Sequence, residues 1–135
     1  MMSNLEKHLI TKKESDLLAS EYEKTNYGAI NSKRPANKPD ARHFSYDLEV
    51  LQDYINLIRE EMGKRGVNKK GIRVTLGKYP DNNFDPRLDP ICSGYQTIFF
   101  SAENMDSAEQ IESVSRTNDL EDLPQMNYGQ IRPPY

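Results

Sequence analysis

Asp81-Asn82-Asn83-Phe84-Asp85-Pro86-Arg87-Leu88-Asp89 sets oxygen-bearing side chains at relative positions 1, 3, 5 and 9. That is the spacing with which a calcium-binding loop gathers its ligands. The departures outweigh the match. The sixth position needs a positive φ, and here it is Pro86, whose ring holds φ near about −65°. The twelfth should be a bidentate Glu and is Cys92. An Asx- and Pro-rich surface loop explains the pattern as well, and the expectation is no metal and no cofactor. The same stretch offers a different chemistry. Arg73, Tyr79, Asp85, Arg87 and Tyr95 are polar and aromatic groups that would line a pocket beside a sheet, the outline of a small enzyme site.

Cys92 is the only cysteine, so neither an internal disulfide nor a cysteine-based zinc site can be assembled. With His8 or His43 it would make a nucleophile and base, but no spacing brings them together. A small core residue ahead of a strand is the plainer reading. Glu60 and Glu61 are helix neighbours facing water, not an acid–base pair. Arg59, Lys64, Arg65, Lys69, Lys70, Arg73 and Lys78 concentrate positive charge over 59–78, where a phosphate-bearing partner would dock. Glu60 and Glu61 dilute that charge, no phosphate-loop glycine pattern accompanies it, and the chain as a whole carries −3. Nucleic acid is therefore the weaker partner class. The charge is uneven: residues 103–135 hold 7 acidic and 2 basic side chains, an acidic arm that would either be solvated or lie over the basic surface.

Positioning any of these groups needs a core, and the core is thin. Leu, Ile, Val and Phe make up about a fifth of the 135 residues, at the edge of the disordered range. The length suits one domain. No run approaches the ~18 apolar residues of a membrane span, and the charged N-terminus lacks a signal-peptide core, so the expected setting is the cytoplasm.

Thr11-Lys12-Lys13-Glu14 reads as a capping box opening a helix over about 12–25, ended by Asn26-Tyr27-Gly28. Residues 31–42, with Pro35 and Pro39, read as an exposed loop. Ser45 is the expected N-cap of a helix over 46–62. There Leu48, Leu51, Ile55, Ile58 and Met62 form one apolar stripe, which Val50, Tyr54 and Leu57 widen, and Gly63 or Gly66 ends it. Ile72, Val74 and Leu76 alternate with Arg73, Thr75 and Gly77 as a half-buried strand. A second strand over 95–102 is apolar on both faces, and the two should pair antiparallel across a long loop. Asn26-Tyr27-Gly28-Ala29-Ile30 is echoed by Asn127-Tyr128-Gly129-Gln130-Ile131, which suggests that Met126, Tyr128, Ile131 and Tyr135 anchor the tail on an apolar surface.

The order of a helix, Gly71-Ile72-Arg73-Val74-Thr75-Leu76-Gly77-Lys78-Tyr79-Pro80, Gly94-Tyr95-Gln96-Thr97-Ile98-Phe99-Phe100 and a late Asn-Tyr-Gly resembles small bacterial proteins of the Bacteroidetes type that carry no assigned activity. The resemblance covers about 45–102 and the terminal segment. It implies a bacterial cytoplasmic protein and transfers no functional residue.

The combined expectation is an α+β chain in three parts. Residues 1–44 give a helix and Pro-rich linker, 45–102 a main amphipathic helix on a small antiparallel sheet, and 103–135 an extended acidic segment. Two strands rarely stand alone, so a third strand or another chain must complete the sheet. The leading function is a non-catalytic module that binds another protein or itself. The enzyme pocket around 78–93 is the alternative, and nucleic-acid binding through 59–78 comes after it. The candidate binding residues are Arg73, Tyr79, Asp85, Arg87, Tyr95, Tyr128 and Ile131.

Overall fold

The computed structural model describes residues 4–81, 87, 92–106, 120–127 and 130–132. The chain divides into two compact units, 1–40 and 41–135.

In the first unit the reciprocal cap forms as its spacing predicts. The Thr11 hydroxyl accepts from the Glu14 amide at 3.1 Å, and the Thr11 amide donates to the Glu14 carboxylate at 2.8 Å. Helix α1 (Lys12–Tyr22) follows. Asn26-Tyr27-Gly28 does not end the helical run, contrary to expectation. A wider π-helical turn over Glu23–Tyr27 leads straight into α2 (Gly28–Asn31), where Gly28 keeps the ordinary right-handed helical φ of −62°. An αL-tolerant residue permits a helix stop without enforcing one. The buried Tyr27 holds the following loop by donating its hydroxyl to the Asp40 carbonyl at 2.7 Å, and Asn31 accepts from the Asp40 amide at 2.6 Å.

The second unit is α+β. Strand β1 (His43–Ser45) precedes the main helix α3 (Leu48–Lys64), then strands β2 (Lys70–Lys78), β3 (Gln96–Asn104) and β4 (Gln130–Arg132). Ser45 lies in β1, and the cap of α3 is Asp47, whose carboxylate accepts from the Glu49 amide at 3.1 Å. Both are good caps by type, and the strand pairing of His43–Ser45 decides between them. At the other end, Val67 donates to the Met62 carbonyl and Gly66 to that of Gly63. Gly66 takes the positive φ of 79° that this double closure requires. The closure turns Val67 back onto Met62 in the core.

Strands β2 and β3 pair antiparallel over their whole length, with Val74 opposite Phe100. The third short strand that the thin sheet called for arrives as a separate ladder, in which β1 pairs with β4 and Phe44 lies opposite Ile131. The core gathers Tyr54, Ile58 and Met62 of α3 against Ala102 of β3 and against Leu120 and Leu123 of the acidic segment. The tail therefore packs. The anchors that do this were not all expected: Met126 contributes, Tyr128 and Tyr135 lie outside the described residues, and Leu120 and Leu123 carry most of it.

The half-buried strand is where sequence and structure differ most. Ile72, Val74 and Leu76 retain 40%, 54% and 79% exposure. Helix α3 meets both strands, but its buried side chains pack on Ala102 of β3 and on the C-terminal segment, so the apolar face of β2 extends past them. Leu48, the first residue of the predicted α3 stripe, is 76% exposed, and Val50 and Leu57 likewise stay exposed and do not widen it.

Candidate functional site

The two outer edges of the β2–β3 ladder are built differently. Beyond the strands, the Met105 amide donates to the Lys69 carbonyl and the Tyr79 amide to that of Tyr95, both at 2.9 Å. These pairs flank the ladder, and in antiparallel pairing hydrogen-bonded positions recur every second residue. The odd-numbered residues of β2 thus direct their main-chain groups at β3, and Ile72, Val74 and Leu76 direct theirs outward. On β3 the outward set is the even-numbered one, and it is occupied. Phe100 exchanges two hydrogen bonds with Met126 at 2.9 and 3.0 Å. Tyr54 donates to the carbonyls of Phe100 (3.2 Å) and Pro124 (2.9 Å), and Tyr46 to that of Ile98 (3.3 Å). Tyr46 also packs edge-on against Phe100, with ring centres 5.1 Å apart. Burial pushes the Tyr54 phenol up from its ordinary value, which keeps it a donor.

Along β2 nothing comparable happens. Among the described residues no strand pairs with its outer edge. A groove of about 240 Å³ runs between that edge and α3, lined by Ile55, Ile58, Met62, Ile72 and Gly71 with Arg59 and Lys70. Val74 and Leu76 continue the apolar strip along the strand. Among the described residues, then, the outward main-chain donors and acceptors of β2 have no partner and lie beside an apolar trough, the arrangement that accepts an added strand.

Among the described residues, three of the seven basic side chains of 59–78 are ion-paired. Arg65 makes a two-pronged contact with Asp122, both bonds 2.7 Å, and holds that carboxyl below the usual carboxylate range. Arg73 pairs with Glu103 at 2.6 Å, and Lys64 with Glu61 at 3.3 Å. Asp106 accepts from the amides of Lys69 (2.5 Å) and Asn68 (3.1 Å), which pulls its carboxyl down as well. The acidic arm is thus laid over the basic surface at Arg65.

Of the candidate residues, Tyr79 and Tyr95 come together. Both are buried, they are joined through the main chain, and the Tyr79 hydroxyl donates to Asn127 at 2.7 Å while Thr97 bonds it at 3.2 Å. Arg73 sits six residues away along β2, roughly 20 Å at the strand rise, so it shares no pocket with them. Arg87 is exposed, Ile131 lies in β4, and Asp85 and Tyr128 are outside the described residues, as is most of the calcium-like loop. Among the described residues no cluster of three or more metal-ligating side chains forms. Cys92 is half-buried and His43 exposed on β1. No protein family, curated protein or solved structure matches this chain. Among the described residues no helix is long and apolar enough to cross a membrane.

Sequence reasoning did not separate the two edges. Both strands read as apolar, and the difference comes from Tyr46, Tyr54 and Met126, which lie 46 and more residues from Phe100 or next to it only in space. The two-residue interval between Leu120 and Leu123 in an otherwise acidic stretch was the available signal for the tail's docking.

Proposed function

We propose that this chain is a non-catalytic docking module that takes an extended protein segment against β2. The reading rests on one observation: a strand edge with no pairing partner among the described residues, lined by Ile72, Val74 and Leu76, with an apolar groove beside it. Main-chain bonds to the outward groups of the strand would supply affinity, and alternate side chains entering the groove would supply specificity. The ion pairs at Arg65, Arg73 and Lys64 count against a nucleic-acid surface. The distance along β2 from Arg73 to Tyr79 counts against a shared enzyme pocket. The resemblance to Bacteroidetes-type proteins supports a bacterial cytoplasmic setting.

Selection from a displayed library of unstructured peptides tests the reading. The expected result is enrichment of peptides with alternating apolar residues, whose binding is lost in Leu76→Arg and retained in Leu17→Arg on α1. Enriched peptides indifferent to Leu76→Arg, or no enrichment, would refute it.

A further inference from the structure

The β2 strand is close to a palindrome. Lys70-Gly71-Ile72-Arg73-Val74-Thr75-Leu76-Gly77-Lys78 has lysine outermost, glycine next and a branched aliphatic third from either end, with Val74 at the centre, and breaks the pattern only where Arg73 answers Thr75. An antiparallel pair of identical strands related by a two-fold axis at Val74 sets Gly71 against Gly77, Ile72 against Leu76 and Val74 against itself. The outward main-chain groups of β2 belong to the even-numbered residues, and this register pairs even with even. Val74 then exchanges both of its hydrogen bonds with Val74 of the second copy, as a two-fold axis through a hydrogen-bonded pair demands. We propose, resting on the docking reading above, that the occupant of the β2 edge is β2 of a second copy, which joins two ladders into a continuous four-stranded sheet.

Shape supports the same occupant. Ile72, Val74 and Leu76 share one face with the groove under α3. In this register Leu76 of the second copy comes to rest opposite Ile72, at the groove lined by Ile55, Ile58 and Met62. The most exposed apolar side chain of the strand thereby fills the trough beside its least exposed one, twice, by symmetry. The exposed portions of the three side chains in two copies amount to on the order of 600 Å² of apolar surface. With the paired main chain this remains below the ~1,200 Å² of a standard stable interface. The dimer is accordingly weak and reversible. Lys70 faces Lys78 at each end of the pairing, a like-charge contact that holds the association down at low salt.

Sedimentation velocity on the full chain, from low micromolar to about 0.5 mM, reads the equilibrium directly. The expected result is a monomer passing into a dimer and no larger species, tightened several-fold when NaCl rises from about 0.05 to about 0.5 M, and weakened at least tenfold by Val74→Lys. Register is read by cross-linking in a Cys92→Ser background whose circular dichroism matches the parent. Cα atoms of a hydrogen-bonded antiparallel pair lie about 5.5 Å apart, within disulfide reach. Val74→Cys should oxidise to a covalent dimer. Ile72→Cys alone should not, because its symmetry mates stand roughly 14 Å apart, whereas Ile72→Cys mixed with Leu76→Cys should. A monomer at every concentration, a dimer indifferent to Val74→Lys, or Ile72→Cys cross-linking to itself as well as Val74→Cys does would each overturn the proposal. A monomer whose β2 still binds selected peptides overturns self-pairing and leaves the docking reading standing. A monomer that binds none overturns both.

Discussion

Strands β2 and β3 are equally long and paired residue for residue, yet one outer edge is closed and the other open. Three things close β3: main-chain bonds from Met126, hydroxyl donors from Tyr46 and Tyr54, and the weight of α3 with Leu120 and Leu123. The open edge of β2 has aliphatic side chains of the same kind and, among the described residues, none of these partners. Burial in this small protein is thus decided by which strand the C-terminal segment returns to. Apolarity of the strand itself does not decide it. The comparison also assigns roles: the β3 side carries stability, and the β2 side is left over for binding.

The sharpest way to break that division is to remove a side chain from the closed side. Met62 is 1% exposed and touches the turn at Val67 as well as the sheet side of the core. Met62→Ala should cost about 2–5 kcal/mol of unfolding free energy, because the cavity it leaves cannot collapse between a helix and a strand. Small domains hold only about 5–15 kcal/mol in all, so a urea midpoint far below the parent's is the expected reading. A midpoint within error would mean that α3 does not depend on this core. Tyr54→Phe comes next. It keeps the ring and removes the donor shared by the Phe100 and Pro124 carbonyls. Phe100 retains its bond from Met126, so the carbonyl left unsatisfied is that of Pro124, and the loss should be about 1 kcal/mol. Hydrogen exchange should quicken at the Phe100 and Met126 amides before it does in β2.

Much of this architecture is legible in the residues, and the illegible part has a common cause. The capping box at Thr11 and Glu14 and the antiparallel pair are local or short-range patterns and form as read, and the stripe of α3 does so in its C-terminal half, at Ile58 and Met62 with Tyr54, while Leu48 at its start is exposed. The cap at Asp47, the helical passage through Gly28 and the exposure of Leu76 are settled by contacts distant in sequence, which periodicity does not encode. Candidate sites fared by the same rule. Tyr79 and Tyr95 meet because adjacent strands bring them together, whereas Arg73 was grouped with them by residue type alone and is directed to Glu103. The open edge itself was anticipated only as a deficit, a sheet too small to stand, without the strand that shows it.

The carboxylates at the margin of the sheet give a smaller effect, with a definite sign. Amides of Lys69 and Asn68 hold the Asp106 carboxyl below its ordinary value, and the Arg65 guanidinium does the same for Asp122. A folded-state value below the unfolded one means that the unfolded chain binds the proton more readily. Each contact then contributes stability that is fully present above the ordinary aspartate value of about 3.9 and is lost as pH falls through the lower folded value. Urea midpoints should therefore decline as the pH is taken down from about 5, and the decline should be shallower in Asp106→Asn and in Asp122→Asn. Both side chains are in water, so the effect should also shrink in high salt. An unchanged slope in both variants would show that neither contact persists in solution.

Leu76→Ala is the smallest change expected in stability and the most informative about the two edges. The side chain is exposed over most of its surface, so its removal leaves no cavity. Unfolding free energy should stay within about 0.5 kcal/mol of the parent, in contrast to Met62→Ala in the core under α3. Association should respond the other way round: Leu76→Ala should weaken pairing at β2, while Tyr54→Phe, on the closed side and outside the groove, should leave pairing unchanged. If Leu76→Ala costs as much stability as Met62→Ala, then the strand is already covered in the isolated chain, and the contrast between a closed β3 and an open β2 is wrong at its root. If it changes neither stability nor association, the edge is open but idle, and the apolar side chains on it have no partner to recognise.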